Sequence, residues 1–354
     1  MDYSHYGQNE AIATFFDVLV PQHYTKDRSV TQAECDQYAK TLLGTADIVP
    51  VRFQGTASYT TYSPHLKHVV QFRLRPLDEQ KMSLAPKAYG DLVPQVTSMN
   101  TFTLPVYNSK LNEGHLHIFQ SFPEDPEDRF PIERQLRTVR DVAAFIARGA
   151  SLPLARETLT PNGWTMGAKN RLEQIRDNIT LQSIEPRFSQ RANALLTQIP
   201  KLDQLPAVIT VPDLAELNLM IDPESGALTG VLDFDDASIG AWGMCISGVY
   251  EIFFGQMREV KWKWFEDKAP ESEVSVREVL EEAFWEAFWE AAPEQYSRQE
   301  YEEAVRLATE IGMVNRYVSD DLLDRFEEHN EQHRRDLEWA RGIWLGSKVL
   351  SIRD

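Results

Sequence analysis

The chain of 354 residues carries 54 acidic against 36 basic side chains, a formal net charge of −18. That balance disfavours non-specific contact with nucleic acid or an anionic membrane, both of which need basic surface, and points to a small-molecule partner. The length exceeds what one small core organises and predicts one large or two closely packed domains.

In chain order, the opening "MDYSHYGQNEAIATFFDVLV" lacks a basic run followed by an apolar one. No window approaches the ~20 apolar residues of a membrane helix, so a cytoplasmic protein is expected. Cys35 and Cys245 stand far apart with no CxxC pair, which argues against a disulfide framework or a thiolate zinc site. The first 45 residues read as helical, and "TQAECDQYAKTLLG" offers a capping box of Thr31 and Glu34 closed by Gly44. Strand character follows in "VPVRFQGTASYTTYS" and "HVVQFRLR", with a turn beginning at Pro64. "LDEQKMSLAPKAYG" returns to helix, which Pro86 is expected to break or end. "TFTLPVYNS" and "GHLHIFQSF" predict a further strand pair that places His115 and His117 on one partly exposed face. The Pro-rich "PEDPEDRFP" then suits a connection between domains. These elements predict one domain over 1–122 and another over 123–354.

The second domain reads as mainly helical. Leu136, Val139, Val142, Ala143 and Ile146 form a helical stripe, and "AFWEAFWEA" places Phe284 and Phe288 on one face, best explained as core. His329 and His333 have the spacing of a helical metal pair, but the run around them is so charged that a solvated helix face is expected. The exception to the helical character is "TVPDLAELNLMIDPESGALTGVLDFDDA", in which "AVITV", "NLMI" and "TGVLDF" are short strand-like runs broken by the turn "DPESG". Asp213, Asn218 and Asp233 fall on this segment. A turn at Asp222 to Gly226 would bring Asn218 and Asp233 together with Asp213 just ahead. Oxygen ligands of this kind suit Mg²⁺, which takes one or two protein carboxylates and completes its shell with water and phosphate. No G-x-S-x-G, Walker A, G-x-G-x-x-G or H-E-x-x-H motif occurs.

The segment resembles the catalytic stretch of the aminoglycoside phosphotransferase and choline kinase-like family, whose usual form is H-x-D, four residues, N, a hairpin and D. "VPDLAELN" and "VLDFDDA" match both spacings. The likeness is most specific over 208–243, where "DLAELNLMID" and "ALTGVLDFDDASIGAWG" look like the fungal branch of the family. Weaker echoes in "QGTASYT", "HVVQFRLR" and "YGDLVP" extend it toward the N-terminus.

The resemblance implies an α+β, two-lobed protein kinase-like fold, with a small antiparallel-sheet N-lobe, a larger mainly helical C-lobe and the catalytic segment facing the cleft between them. It implies ATP and Mg²⁺ as cofactors and phosphotransfer to the hydroxyl of a small metabolite. Asp213 would be the base, and Asn218 and Asp233 the metal ligands. Phe234 would follow the metal aspartate, and Asp236 would support the loop. "IFQSF" would be the hinge, with the backbone from Gln120 to Phe122 meeting an adenine edge. Ser58 would contact phosphate. Two positions depart from the pattern. The histidine two residues before the aspartate is Val211, followed by Pro212, and the phosphate-binding lysine is Gln71. Arg73, two residues on and on the same strand face, would then supply the cation, with Glu79 as its partner. The same departures motivate a second reading, a kinase-fold protein that no longer transfers phosphate. Such a protein would be a pseudokinase-like binding protein, or a scaffold recruited to another reaction, such as a cyclisation, in fungal specialised metabolism.

Overall fold

The computed structural model describes residues 8–24, 29–121, 132–154, 163–234, 237–347 and 349–350. The chain forms two compact units, one comprising 1–86 and 91–113, the other 87–90 and 114–354. Residue 122, the boundary expected from sequence, lies outside the described residues.

The first unit is built on an antiparallel sheet of β1 (Val49–Pro50), β2 (Ser58–Ser63), β3 (His68–Arg73), β4 (Thr97–Met99) and β5 (Val106–Lys110), in the order β1-β2-β3-β5-β4. The period-2 alternation of strands sorts its faces. Tyr59, Val70, Phe72 and Val106 join Phe15, Cys35 and Ala39 in one buried cluster. Ser58 and Arg73, paired in register, and Gln71, paired with Thr60, fall on the alternate positions. The helix Gln32–Leu43 starts with the expected capping box of Thr31 and Glu34 and stops at Gly44 in the left-handed region. It is tied to the sheet by the Tyr59 hydroxyl, which donates to Asp36 Oδ1 at 2.7 Å.

The helix Glu79–Tyr89 contains Pro86 instead of ending there. Its last turn is held beyond the proline because Tyr89 is buried, stacks on Phe145 at 4.2 Å and donates its hydroxyl to the Ile209 carbonyl.

The second unit is mainly helical. The amphipathic helix Ile132–Arg148 packs against Val276–Ala291, where Phe284, Trp285 and Phe288 are buried as core. Among the described residues three short sheets interrupt the helices. One is ordered β6 (His115–Leu116), β8 (Leu219–Ile221), β9 (Leu228–Val231), and a second pairs β7 (Ala207–Thr210) with β10 (Ser238–Ala241). The third is a hairpin of β11 (Gly255–Arg258) and β12 (Lys261–Trp264) in a region read as helix from sequence. The alternating "KWKW" is the local signal for it. Among the described residues no helix is long and apolar enough to cross a membrane.

"GHLHIFQSF" departs most from expectation. Only His115 and Leu116 form strand, and Ile118–Ser121 turns into helix. Chain reversal begins at His117, whose carbonyl accepts from the amides of Gln120 and Ser121. His117 is fully buried instead of partly exposed. Its Nε2 bonds Gln135 Oε1 at 3.0 Å, its Nδ1 bonds the Ser121 hydroxyl at 3.3 Å, and its ring lies 4.9 Å from Phe253. His333, expected on a solvated face, is also buried, with Nδ1 accepting the Glu327 amide ahead of its helix, while His329 stays exposed outside that helix.

Burial pushes the His117 pKa down to about 4, against a small opposing effect of the Gln135 bond. The unfolded chain therefore binds a proton that the folded one refuses between pH 6.5 and 4, and stability falls as pH drops through that window. Acid titration of urea unfolding should show a loss of about 3 kcal/mol across it. His117→Asn should flatten that component, and an unchanged pH profile in the variant would assign the loss to other groups.

Candidate active site

Two antiparallel ladders determine where Asp213, Asn218 and Asp233 sit. At one end β7 pairs with β10, with Thr210 opposite Ser238, so the chain leaves the ladder at Val211 beside the point where it re-enters at Ser238. At the other end Leu219 of β8 pairs with Val231 of β9, and the Leu232 amide donates to the Asn218 carbonyl at 2.8 Å. The two ladders therefore close a ring that holds residues 211–218 and 232–234, pinned at both ends by backbone hydrogen bonds. All three residues lie within that ring.

Inside the ring, Asn218 closes a short 3₁₀ turn spanning Glu216–Asn218. Its Nδ2 donates to the Asp213 carbonyl at 2.9 Å, which leaves Oδ1 as the amide's acceptor. Asp233 is exposed and takes a φ of 58°, in the left-handed region that non-glycine residues enter only at some energetic cost. Phe234, next to it, is buried and lies 6.0 Å from Tyr89. Asp236 lies outside the described residues, as does Phe122.

The floor of the ring is apolar. Val211 and Leu214 are 2% and 1% exposed. Gly248, in the helix Ile246–Phe253, approaches the loop so closely that a Cβ there would stand 2.4 Å from the Leu214 carbonyl oxygen. Arg316 and Glu251, from elsewhere in the sequence, stand beside the ring, and Glu216 lies within it. Arg316 pairs with Asp213 and with Glu251, and burial together with the nearby Glu251 charge raises the Glu216 carboxyl to about 7.

The remaining sequence-predicted residues lie outside the ring. Gln120 occupies a helical turn and not an extended hinge. Its amide donates to the His117 carbonyl and its buried side chain donates to Thr138 Oγ1 at 3.0 Å. Ser58 and Arg73 belong to the first unit, where both are buried, and Gln71 Nε2 donates to Ser58 Oγ at 3.2 Å. Glu79 opens its helix as an exposed residue.

Among the described residues no three His, Cys, Asp or Glu side chains gather as they would around an ion held by protein alone.

A family model described as the phosphotransferase enzyme family matches residues 112–244, a span that includes the whole ring. Among solved structures, the GDP complex of an aminoglycoside 2'-phosphotransferase variant is 14% identical. It has a TM-score of 0.53 and covers 90% of this chain and 97% of its own. An ethanolamine kinase from Plasmodium vivax is 11% identical, with a TM-score of 0.51 and 96% of each chain covered. The chain has a protein kinase-like fold. Among curated proteins none matches.

Sequence reading did not find Tyr89, Gly248, Glu251 or Arg316 as parts of this site. The signal for Gly248 was a lone glycine inside an apolar helical run, which implies close backbone approach. Arg316 carries no local signal, since it reaches Asp213 across 103 residues of sequence. Gly248→Ala should destabilise the fold by about 1–3 kcal/mol, because overpacking against Leu214 outweighs the roughly 1 kcal/mol gained in helix propensity. The urea midpoint reads this, and a midpoint at or above wild type would show that the loop yields freely.

Proposed function

We propose that the protein is an ATP- and Mg²⁺-dependent phosphotransferase acting on the hydroxyl of a small molecule. The observation that carries this reading is the doubly pinned ring, in which Asp213, Asn218 and a left-handed Asp233 share one small stretch of backbone. The family match over the same residues supports it. In this reading Asp213, whose side chain is exposed, accepts a hydrogen bond from the acceptor hydroxyl and orients it toward the phosphoryl group. Asn218 Oδ1 and Asp233 hold the ion. The ion, when bound, neutralises phosphate charge. From the first unit, Ser58 and Arg73 are the proposed phosphate contacts, with Arg73 supplying the positive charge that Gln71 lacks.

The alternative, a kinase-fold chain without transfer activity, draws on Val211 and Gln71, two neutral residues where the resembling family has His and Lys. Isothermal calorimetry of Mg·ATP with the purified protein separates the two readings in their simplest form. Micromolar binding supports the phosphotransferase, and undetectable binding removes it.

With binding established, Asp233→Asn should weaken Mg-dependent nucleotide binding at least tenfold. Asp213→Asn should leave it within about threefold and slow phosphate transfer by roughly 10²–10⁴. Wild-type rates in either variant would strip that residue of its assigned role. Arg73→Ala should cost about 1.5–3 kcal/mol of Mg·ATP affinity, the range for a hydrogen bond to a charged group, and Gln71→Lys should raise affinity. Unchanged affinity in both variants would take β3 out of phosphate binding.

A further inference from the structure

We infer that Arg316 is a positioning residue for Asp213, bracing both the backbone that enters the loop and the carboxylate itself. The inference rests on the phosphotransfer reading of the same site. Val211 is buried and apolar, so it offers the loop packing but no side-chain hydrogen bond. Arg316, at the end of the helix Arg298–Tyr317, supplies both contacts with one nitrogen. Its Nη1 donates to the Pro212 carbonyl at 2.9 Å and to Asp213 Oδ1 at 2.9 Å. The first bond fixes the backbone entering the loop and the second fixes the carboxylate.

The arginine is itself anchored. Its Nε donates to Glu251 Oε2 at 3.1 Å, on the helix Ile246–Phe253. The Tyr317 hydroxyl lies 3.1 Å from that same oxygen and 3.2 Å from the Ser247 carbonyl. A guanidinium held through Nε by an enclosed carboxylate, which itself accepts from Tyr317, has little freedom to follow the loop, so the loop is constrained to follow it.

The pair is unequally exposed. The Arg316 and Glu251 side chains are 17% and 19% exposed, whereas Asp213 is 62% exposed. Here the cation is enclosed and the carboxylate is left open, with one oxygen engaged and Oδ2 available. That suits a carboxylate whose task is to orient a hydroxyl, which is the chief demand in phosphoryl transfer through a loose transition state.

The test compares full-length wild type with Arg316→Met and Arg316→Lys by hydrogen–deuterium exchange and by steady-state Mg·ATP hydrolysis, with water as the acceptor. The expected result for Arg316→Met is exchange about tenfold faster, confined to peptides spanning 211–218 and 232–234. Its kcat should fall at least 30-fold with KM for Mg·ATP within twofold. Arg316→Lys, which keeps one donor to the loop, should recover part of both. Unchanged exchange in the methionine variant overturns the inference. So does a rise in KM that matches the fall in kcat, or a lysine variant no better than methionine, since each describes general loosening. Should Arg316→Met fail to fold, Glu251→Ala removes the anchor alone and should give the same pattern at reduced size, with wild-type exchange and kcat as the contrary result. A wild type that neither binds nor hydrolyses Mg·ATP overturns the phosphotransfer reading and the catalytic half of this inference. The exchange data alone then decide whether Arg316 clamps the loop.

Discussion

The backbone hydrogen bonds that close the ring at Thr210–Ser238 and Leu219–Val231 are the constraint on which the rest of the site depends. A side chain can be placed to within a fraction of an ångström only if the backbone beneath it has nowhere else to go. Loops rarely meet that condition by their own packing. Here two loops become one object because each end of one is paired with an end of the other. The strands involved are no longer than four residues, too short to be stable alone, and they persist because they are buried. Burial forces their amides and carbonyls to pair, and pairing fixes the ring.

The ring then needs support from below and from the side, and the two kinds of support differ in physical character. From below the contact is steric. Leu214 rests on Gly248, Val211 is buried in the floor, and Tyr89 reaches the Ile209 carbonyl on the strand that leads into the loop. Such contacts resist compression but exert little directional control. From the side the contact is electrostatic and directional, through Arg316 to Pro212 and Asp213. An apolar floor with one charged strut is a coherent division of labour. A second polar group at position 211 would have to be satisfied beneath the loop, where the surroundings are apolar and an unpaired group costs about 1–3 kcal/mol.

How much of this is legible in the sequence follows from the range of each interaction. The spacing of Asp213, Asn218 and Asp233 is legible because a turn and a strand register convert sequence distance into spatial distance. "DPESG" announces the turn through Asp222, whose Oδ1 accepts from the Ser225 amide and hydroxyl. The helix at Gln32 is legible for the same reason, its cap being local. His117 and Gln120 are not legible, because "HLHIFQS" alternates like a strand while a reversal buries its polar members against Gln135 and Thr138 of another helix. Pro86 misleads because a tertiary anchor at Tyr89 outweighs the local penalty, as tertiary context commonly does. Arg316 is invisible at any window length, since its meaning lies in a partner on a distant element.

Asp233 shows how these constraints combine. A left-handed conformation at a residue with a side chain costs of order 1–2 kcal/mol and survives only where neighbouring residues leave no alternative. Both neighbours are committed. Leu232 is bonded through its amide to Asn218, and Phe234 is buried against Tyr89. Between a residue held by a ladder and a residue held by packing, the chain must turn at Asp233, and the turn leaves that residue exposed while its flanks stay fixed. Aspartate tolerates this region better than most side chains, and glycine would tolerate it at no cost. A carboxylate therefore stands where glycine would be easier, and the ring makes that conformation sustainable.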